Sequence, residues 1–108
     1  MKMQKMHRLK TWLSAYADVR RGAKTFEFRR NDRDFQEGDK VALDPWDPDT
    51  DRQAPYLETV IADVGYVLRG PAFGVPEGYC VFPLLNACTA DGLISAQKAA
   101  GHASPGEG

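Results

Sequence analysis

From Val60 to Leu68 every even position is apolar (Val60, Ala62, Val64, Tyr66, Leu68), while the odd positions include Asp63 and Gly65. Alternation with period two predicts a strand buried on one face. One such strand cannot fold alone, so the rest of the chain must supply partners for it. It does so with shorter runs: His7–Lys10, Thr25–Arg29, Lys40–Leu43 and Tyr79–Leu84. In Thr25–Arg29 the alternation places Phe26 and Phe28 on one face, expected to point inward, and Thr25, Glu27 and Arg29 on the other. Trp12, Tyr16 and Val19 recur at helical spacing, predicting a helix from Trp12 to about Arg21, with Thr11 as N-cap and Gly22 as its stop. Asn31–Asp39 reads as a turn-rich loop anchored by Phe35, Asp44–Pro55 as a solvated acidic flap, and Gly70–Gly78 as a Gly/Pro loop. A second short helix is expected over Leu93–Ala100, then a disordered tail from Gly101 that includes His102. The reading is an α+β fold, a small barrel or curled sheet, with one domain over residues 1–86 and a C-terminal short helix and tail over 87–108.

Composition bounds the partners. With 43% hydrophobic and 27% charged residues among 108, the chain is one globular domain, and its net charge of -1 selects neither a polyanion nor a membrane. The charges are segregated, however: residues 1–33 carry a net +7 and residues 34–64 a net −7. That asymmetry suggests a basic surface facing an acidic ligand. No apolar run approaches the roughly 18 residues of a membrane span, and MKMQKMHRLK lacks the apolar core of a secretory signal. Cys80 and Cys88 are not a C-x-x-C pair and read as reduced thiols of a cytoplasmic protein. Zinc has too few soft ligands. Asp47, Asp49, Asp51 and Glu58 fall at positions 1, 3, 5 and 12 of a calcium loop, but Arg52 stands where its glycine belongs and prolines interrupt it. No metal or cofactor is expected.

Chemistry-bearing residues are densest in Gly22–Arg29 (G-A-K-T-F-E-F-R) and the following Asn31-Asp32-Arg33. Arginine forks on a strand can grip phosphate with neighbouring acids holding them in place. The plainer reading is a solvated strand face with ion pairs across it. Lys24 offers a mobile cation for a phosphate or an oxyanion, Arg29 a bidentate donor, and Glu27 an acceptor for a base amino group or a proton. Trp12, Tyr16 and Tyr79 are either core aromatics or platforms for a base. His7 is either a hydrogen-bonded structural residue or a proton shuttle.

The strings H-R-L-K-T-W (His7–Trp12), G-A-K-T-F-E-F-R, N-D-R-D-F (Asn31–Phe35) and Gly38-Asp39, with Phe73-Gly74 and Gly78-Tyr79 further on, closely resemble the ASCH domain family of the PUA-like superfamily, in a compact bacterial and phage subgroup. The resemblance spans roughly residues 7–43 and 60–85. It implies a small PUA-like β-barrel with an N-terminal helix, and a cleft accepting RNA or a nucleotide. Lys24, Glu27 and Arg29 inherit the binding role directly; His7, Lys10, Asn31, Asp32 and Arg33 occupy the other motif positions. Some similar proteins are amidohydrolases that deacetylate an acetylated cytidine with a Lys, a Thr and a Glu. The lysine corresponds to Lys24, but Glu27 stands at the threonine position, and the catalytic acid would come from the region of Glu58 and Asp63. Another relative is described as a ribonuclease, for which Lys24 and His7 are the candidates. Catalysis, if present, therefore rests on Lys24 and Glu27. A third class is a regulatory module contacting a protein through the acidic 44–55 loop.

Overall fold

The computed structural model describes residues 4–94. Strand β1 (Met6–Trp12) runs directly into helix α1 (Leu13–Arg20), and Gly22, left-handed at φ 81°, turns the chain back toward β2 (Phe26–Arg30). Then come β3 (Lys40–Asp47), β4 (Arg52–Gln53), β5 (Val60–Val64), β6 (Leu68–Arg69), a 3-10 turn at Ala72–Gly74, β7 (Tyr79–Thr89) and β8 (Gly92–Leu93). The strands form one mixed sheet whose main path is β1-β3-β5-β7-β2, with β4 beside β3 and β6 and β8 beside β7. Among the described residues only β1 and β3 pair parallel, and parallel neighbours need a crossover. Helix α1 lies in that crossover and buries Tyr16 and Val19 in the core.

The fold is α+β, but the sheet is open and not the closed barrel expected. Among the described residues no ladder joins its end strands β1 and β2. Side chains span the gap instead: Arg29 Nη2 donates to the Lys10 carbonyl (2.9 Å) and Arg33 Nη1 to the Arg8 carbonyl (2.8 Å). These guanidinium groups take the carbonyls that a strand-to-strand ladder would use.

Other boundaries also move. The helix begins at Leu13 without a side-chain cap, because Thr11 is a buried strand residue whose hydroxyl donates to the Leu9 carbonyl. The expected acidic flap is half strand. β3 continues through Asp44 to Asp47, with Asp44 buried against Arg8 (2.6 Å) and Thr59, and the chain turns back into β4. The even-position pattern holds in β5 as far as Val64. There the Gly65 N–H donates to the Pro83 carbonyl and the phase slips, leaving Tyr66 exposed and Val67 buried. β7 passes through the expected boundary at residue 86, since Asn86 adopts φ 55° and re-phases the strand, so that Ala87 and Ile94 complete the core. Leu93 lies in β8; residues 95–100 of the expected helix, and the tail with His102, fall outside the described residues.

Phe35, the expected loop anchor, is fully buried between His7 (ring centroids 4.7 Å) and Phe82 (5.0 Å). His7 Nε2 in turn meets Asp39 Oδ2 at 2.9 Å, and Asp39 also accepts the backbone N–H groups of Lys5 and Gln36. Burial opposes ionisation of Asp39, but the His7 contact and the two N–H donors outweigh it and hold its carboxyl below the ordinary 3.8. A depressed carboxyl stabilises the fold fully above its unfolded value and loses that contribution as pH falls through the folded one. Asp39→Asn is therefore expected to cost about 1–3 kcal/mol at neutral pH. It should also flatten the loss of stability below about pH 4, as followed by urea denaturation across pH. Gly65→Ala tests the phase slip: its Cβ would stand 2.5 Å from Pro83 Cγ, so a loss of about 1–3 kcal/mol is expected in the same assay.

Candidate functional site

Strand β2 is turned over relative to its hydrophobic pattern. Glu27 is 3% exposed, whereas Phe26 and Phe28 are 46% and 50% exposed. Pairing with β7 explains the inversion. Glu27 lies opposite Phe82 and Arg29 opposite Cys80, and residues directly opposite share a face. Phe82 and Cys80 are fully buried in the core, so Glu27 and Arg29 enter the same side. Burial also pushes the Cys80 thiol above its ordinary value, as suits a packing group.

A buried carboxylate needs partners, and Glu27 has one on each oxygen. Lys24 Nζ donates to Oε2 (3.0 Å) and Arg29 Nε to Oε1 (2.9 Å). Each cation is also held by the backbone, Lys24 by the Phe26 carbonyl (2.7 Å) and Arg29 by the Lys10 carbonyl across the seam. The Gly22 turn sets Lys24 in place, because the Asp18 carbonyl accepts both the Ala23 and Lys24 N–H groups. Lys24 thus uses two of its three N–H donors, and Arg29 two of its five. The side chains are 23% and 28% exposed, so the remaining donors reach solvent.

They open into a cleft of about 370 Å³ along the β1–β2 seam. One wall is Lys10, Thr11, Trp12 and Ala15; the other is Lys24, Glu27, Phe28, Arg29, Arg30 and Tyr79. Four lining side chains are cations and one is an acid, and among the described residues neither Lys10 nor Arg30 has a carboxylate partner. Larger hollows also lie among the described residues. One, of about 670 Å³, lies under the β3–β4 hairpin, where Asp47 and Arg52 oppose each other in register. Another, about 490 Å³, lies against α1 and Leu57. Neither surrounds a buried charge with converging cations.

Of the residues singled out in the sequence, Lys10, Lys24, Glu27 and Arg29 meet in this cleft. The other charged and polar candidates do not line it. His7 is buried at the opposite end of β1 on Asp39. Asn31 Oδ1 accepts the Phe35 N–H (3.1 Å), and Arg33 clamps β1 at Arg8. Asp32 is exposed, 3.8 Å from Arg33. Glu58 accepts the Ala90 N–H, and Asp63 pairs with Lys40 and Asn86. Trp12 and Tyr79 line the cleft, whereas Tyr16 is a core residue bonded to the Glu58 carbonyl. Sequence reasoning did not single out Phe28 as part of the site. Phe28 escaped because a Phe-x-Phe pattern signals an inward face, and only the partner strand reverses that.

A family model described as a domain of unknown function, DUF3850, matches residues 6–84. The chain belongs to the DUF3850 family. The match begins at the first residue of β1, ends within β7, and includes every residue that lines the cleft. No curated protein matches the chain. In this DUF3850 domain no described helix is long and apolar enough to cross a membrane, and no three described His, Cys, Asp or Glu side chains gather as a metal would require.

The inverted strand has a measurable consequence. Glu27→Gln is expected to lower unfolding free energy by about 1–3 kcal/mol, since two cations are then left without a buried charged partner. Phe28→Thr, at an outward position, should lower it by less than about 1 kcal/mol. Urea denaturation of both variants checks this, and the reverse ranking would restore the phenylalanine-inward strand.

Proposed function

We propose that this chain binds RNA or a nucleotide in the seam cleft, with a phosphate held by Lys24 and Arg29. The observation carrying this reading is a buried carboxylate whose two oxygens are fully engaged by cations that still turn unused donors toward an open, net positive cleft. Glu27 acts here as a positioning residue. By fixing Nζ of Lys24 and Nε of Arg29, it removes the entropy those long side chains would otherwise lose on gripping an anion. Charge-assisted hydrogen bonds from a preset lysine and an arginine fork suit a phosphate geometrically. Trp12 and Tyr79, one on each wall, offer faces to a base.

The likeness of the Gly22–Arg29 and Asn31–Phe35 strings to ASCH domains supports the same reading. On it, the open sheet is a PUA-like barrel parted along one seam, and the parting is the ligand site. Two free cysteines fit a cytoplasmic protein. Binding is preferred to hydrolysis of an acetylated cytidine. Thr25 and the acids Glu58 and Asp63 stand outside the lining, and Glu27 already holds two cations. The acidic 44–55 segment is the weaker candidate for a contact surface, because Asp44 is buried on Arg8 and Asp51 accepts the Trp46 indole N–H.

Fluorescence anisotropy with labelled single-stranded RNA and with a labelled nucleotide tests the proposal. Lys24→Ala and Arg29→Ala should each weaken binding about tenfold or more. Each should also make the salt dependence shallower, by about 0.7 in slope for every phosphate the variant no longer neutralises. Unchanged affinity in both variants, with melting curves showing both folded, would overturn it.

A further inference from the structure

Burying Glu27 forces the phenylalanines of β2 outward, and what they build there points beyond a phosphate pocket. Phe28 and Tyr79 meet with ring centroids 5.5 Å apart at an interplanar angle of 36°, and both also border the cleft. Phe26 extends the strip along β2. Each end carries a cation on a ring: the Arg30 guanidinium 5.5 Å from the Tyr79 centroid, and Lys24 Nζ 5.1 Å from that of Phe26. Side chains two apart on a strand are separated by about 7 Å, roughly twice the spacing of stacked bases, so the strip suits bases that are already splayed apart.

We infer that the ligand is a single-stranded nucleic acid segment, one phosphate of which sits on Lys24 and Arg29 while neighbouring bases stack on Phe28–Tyr79 and Phe26. This rests on the cleft reading above and names its substrate class. Charge complementarity selects the occupant: the aromatic strip is flanked by Lys24 and Arg30, with Lys10 across the seam, so a polyanion with flat apolar faces matches it. A second copy of this chain would set those cations against each other. A peptide strand entering the seam between the end strands β1 and β2 would meet Lys10 and Arg8 carbonyls already taken by Arg29 and Arg33. A duplex keeps its base faces inside the stack and leaves the strip unused.

The test compares four ligands on the full chain: inorganic phosphate, a nucleoside monophosphate, an eight-nucleotide single-stranded RNA and a duplex of the same length. The single strand should bind at least about tenfold more tightly than the monophosphate and the duplex. Phe28→Thr and Phe26→Thr should each weaken the single strand about tenfold. Because Lys24 Nζ also rests on the Phe26 ring, Phe26→Thr should weaken the monophosphate far less than it weakens the single strand. Equal affinity for single strand and duplex, untouched by either substitution while Lys24→Ala still weakens both, would overturn the stacking strip and leave the phosphate cleft standing. Failure of the unmodified chain to bind any of the four would overturn both. Concentration-dependent dimerisation abolished by Phe28→Thr, seen in sedimentation, would also overturn the inference by assigning the strip to a second copy.

Discussion

The carboxylate of Glu27, closed in between Lys24 and Arg29, is the contact from which the rest of the site follows. Such a group is tolerated in a protein interior only if both oxygens are satisfied, and both are. Satisfying them fixes which face of β2 turns inward and brings Arg29 close enough to take a β1 carbonyl. It also puts Phe26 and Phe28 outside. The open seam, the cations along it and the aromatic strip beside it are thus three consequences of one buried charge. Replacing that charge with an apolar side chain would suit the hydrophobic core and remove the reason for the cleft.

The near-neutral charge of the chain is resolved in the same geometry. The parallel β1–β3 pair lays part of the basic first third against the acidic second third, giving Arg8–Asp44, while within the second third Lys40 of β3 pairs with Asp63 of β5. His7–Asp39 closes the far end of β1. These pairs consume acids and leave Lys10, Lys24, Arg29 and Arg30 around a single carboxylate. A neutral protein can therefore present a local positive field, strongest where the low-dielectric walls of a cleft concentrate it.

Part of this was legible without coordinates. The period-two run gave β5, Gly22 marked the end of α1, and Phe35 was recognisable as a loop anchor because it is the one apolar residue among turn formers. Lys24, Glu27 and Arg29 could be singled out as a group by their density along Gly22–Arg29. Less visible were the continuation of β3 through a proline and two aspartates, and the extension of β7 past Asn86. In both places a polar residue is accommodated by distant partners, Arg8 and Thr59 for Asp44, or by the positive φ of Asn86, and neither is written in local pattern.

Periodicity, turn chemistry and charge density are local properties of a chain, and they were enough to set most of the elements and the core residues of the site. Which way β2 faces belongs to the tertiary structure. An alternating strand offers two faces, and hydrophobicity favoured the phenylalanines by only a modest margin for a strand at the end of a sheet. The register of β7 sets Glu27 and Arg29 opposite Phe82 and Cys80 on the inward face, and Lys24 and Arg29 satisfy the charge that this buries. The cleft exists only because that competition was settled by contacts from residues distant in sequence.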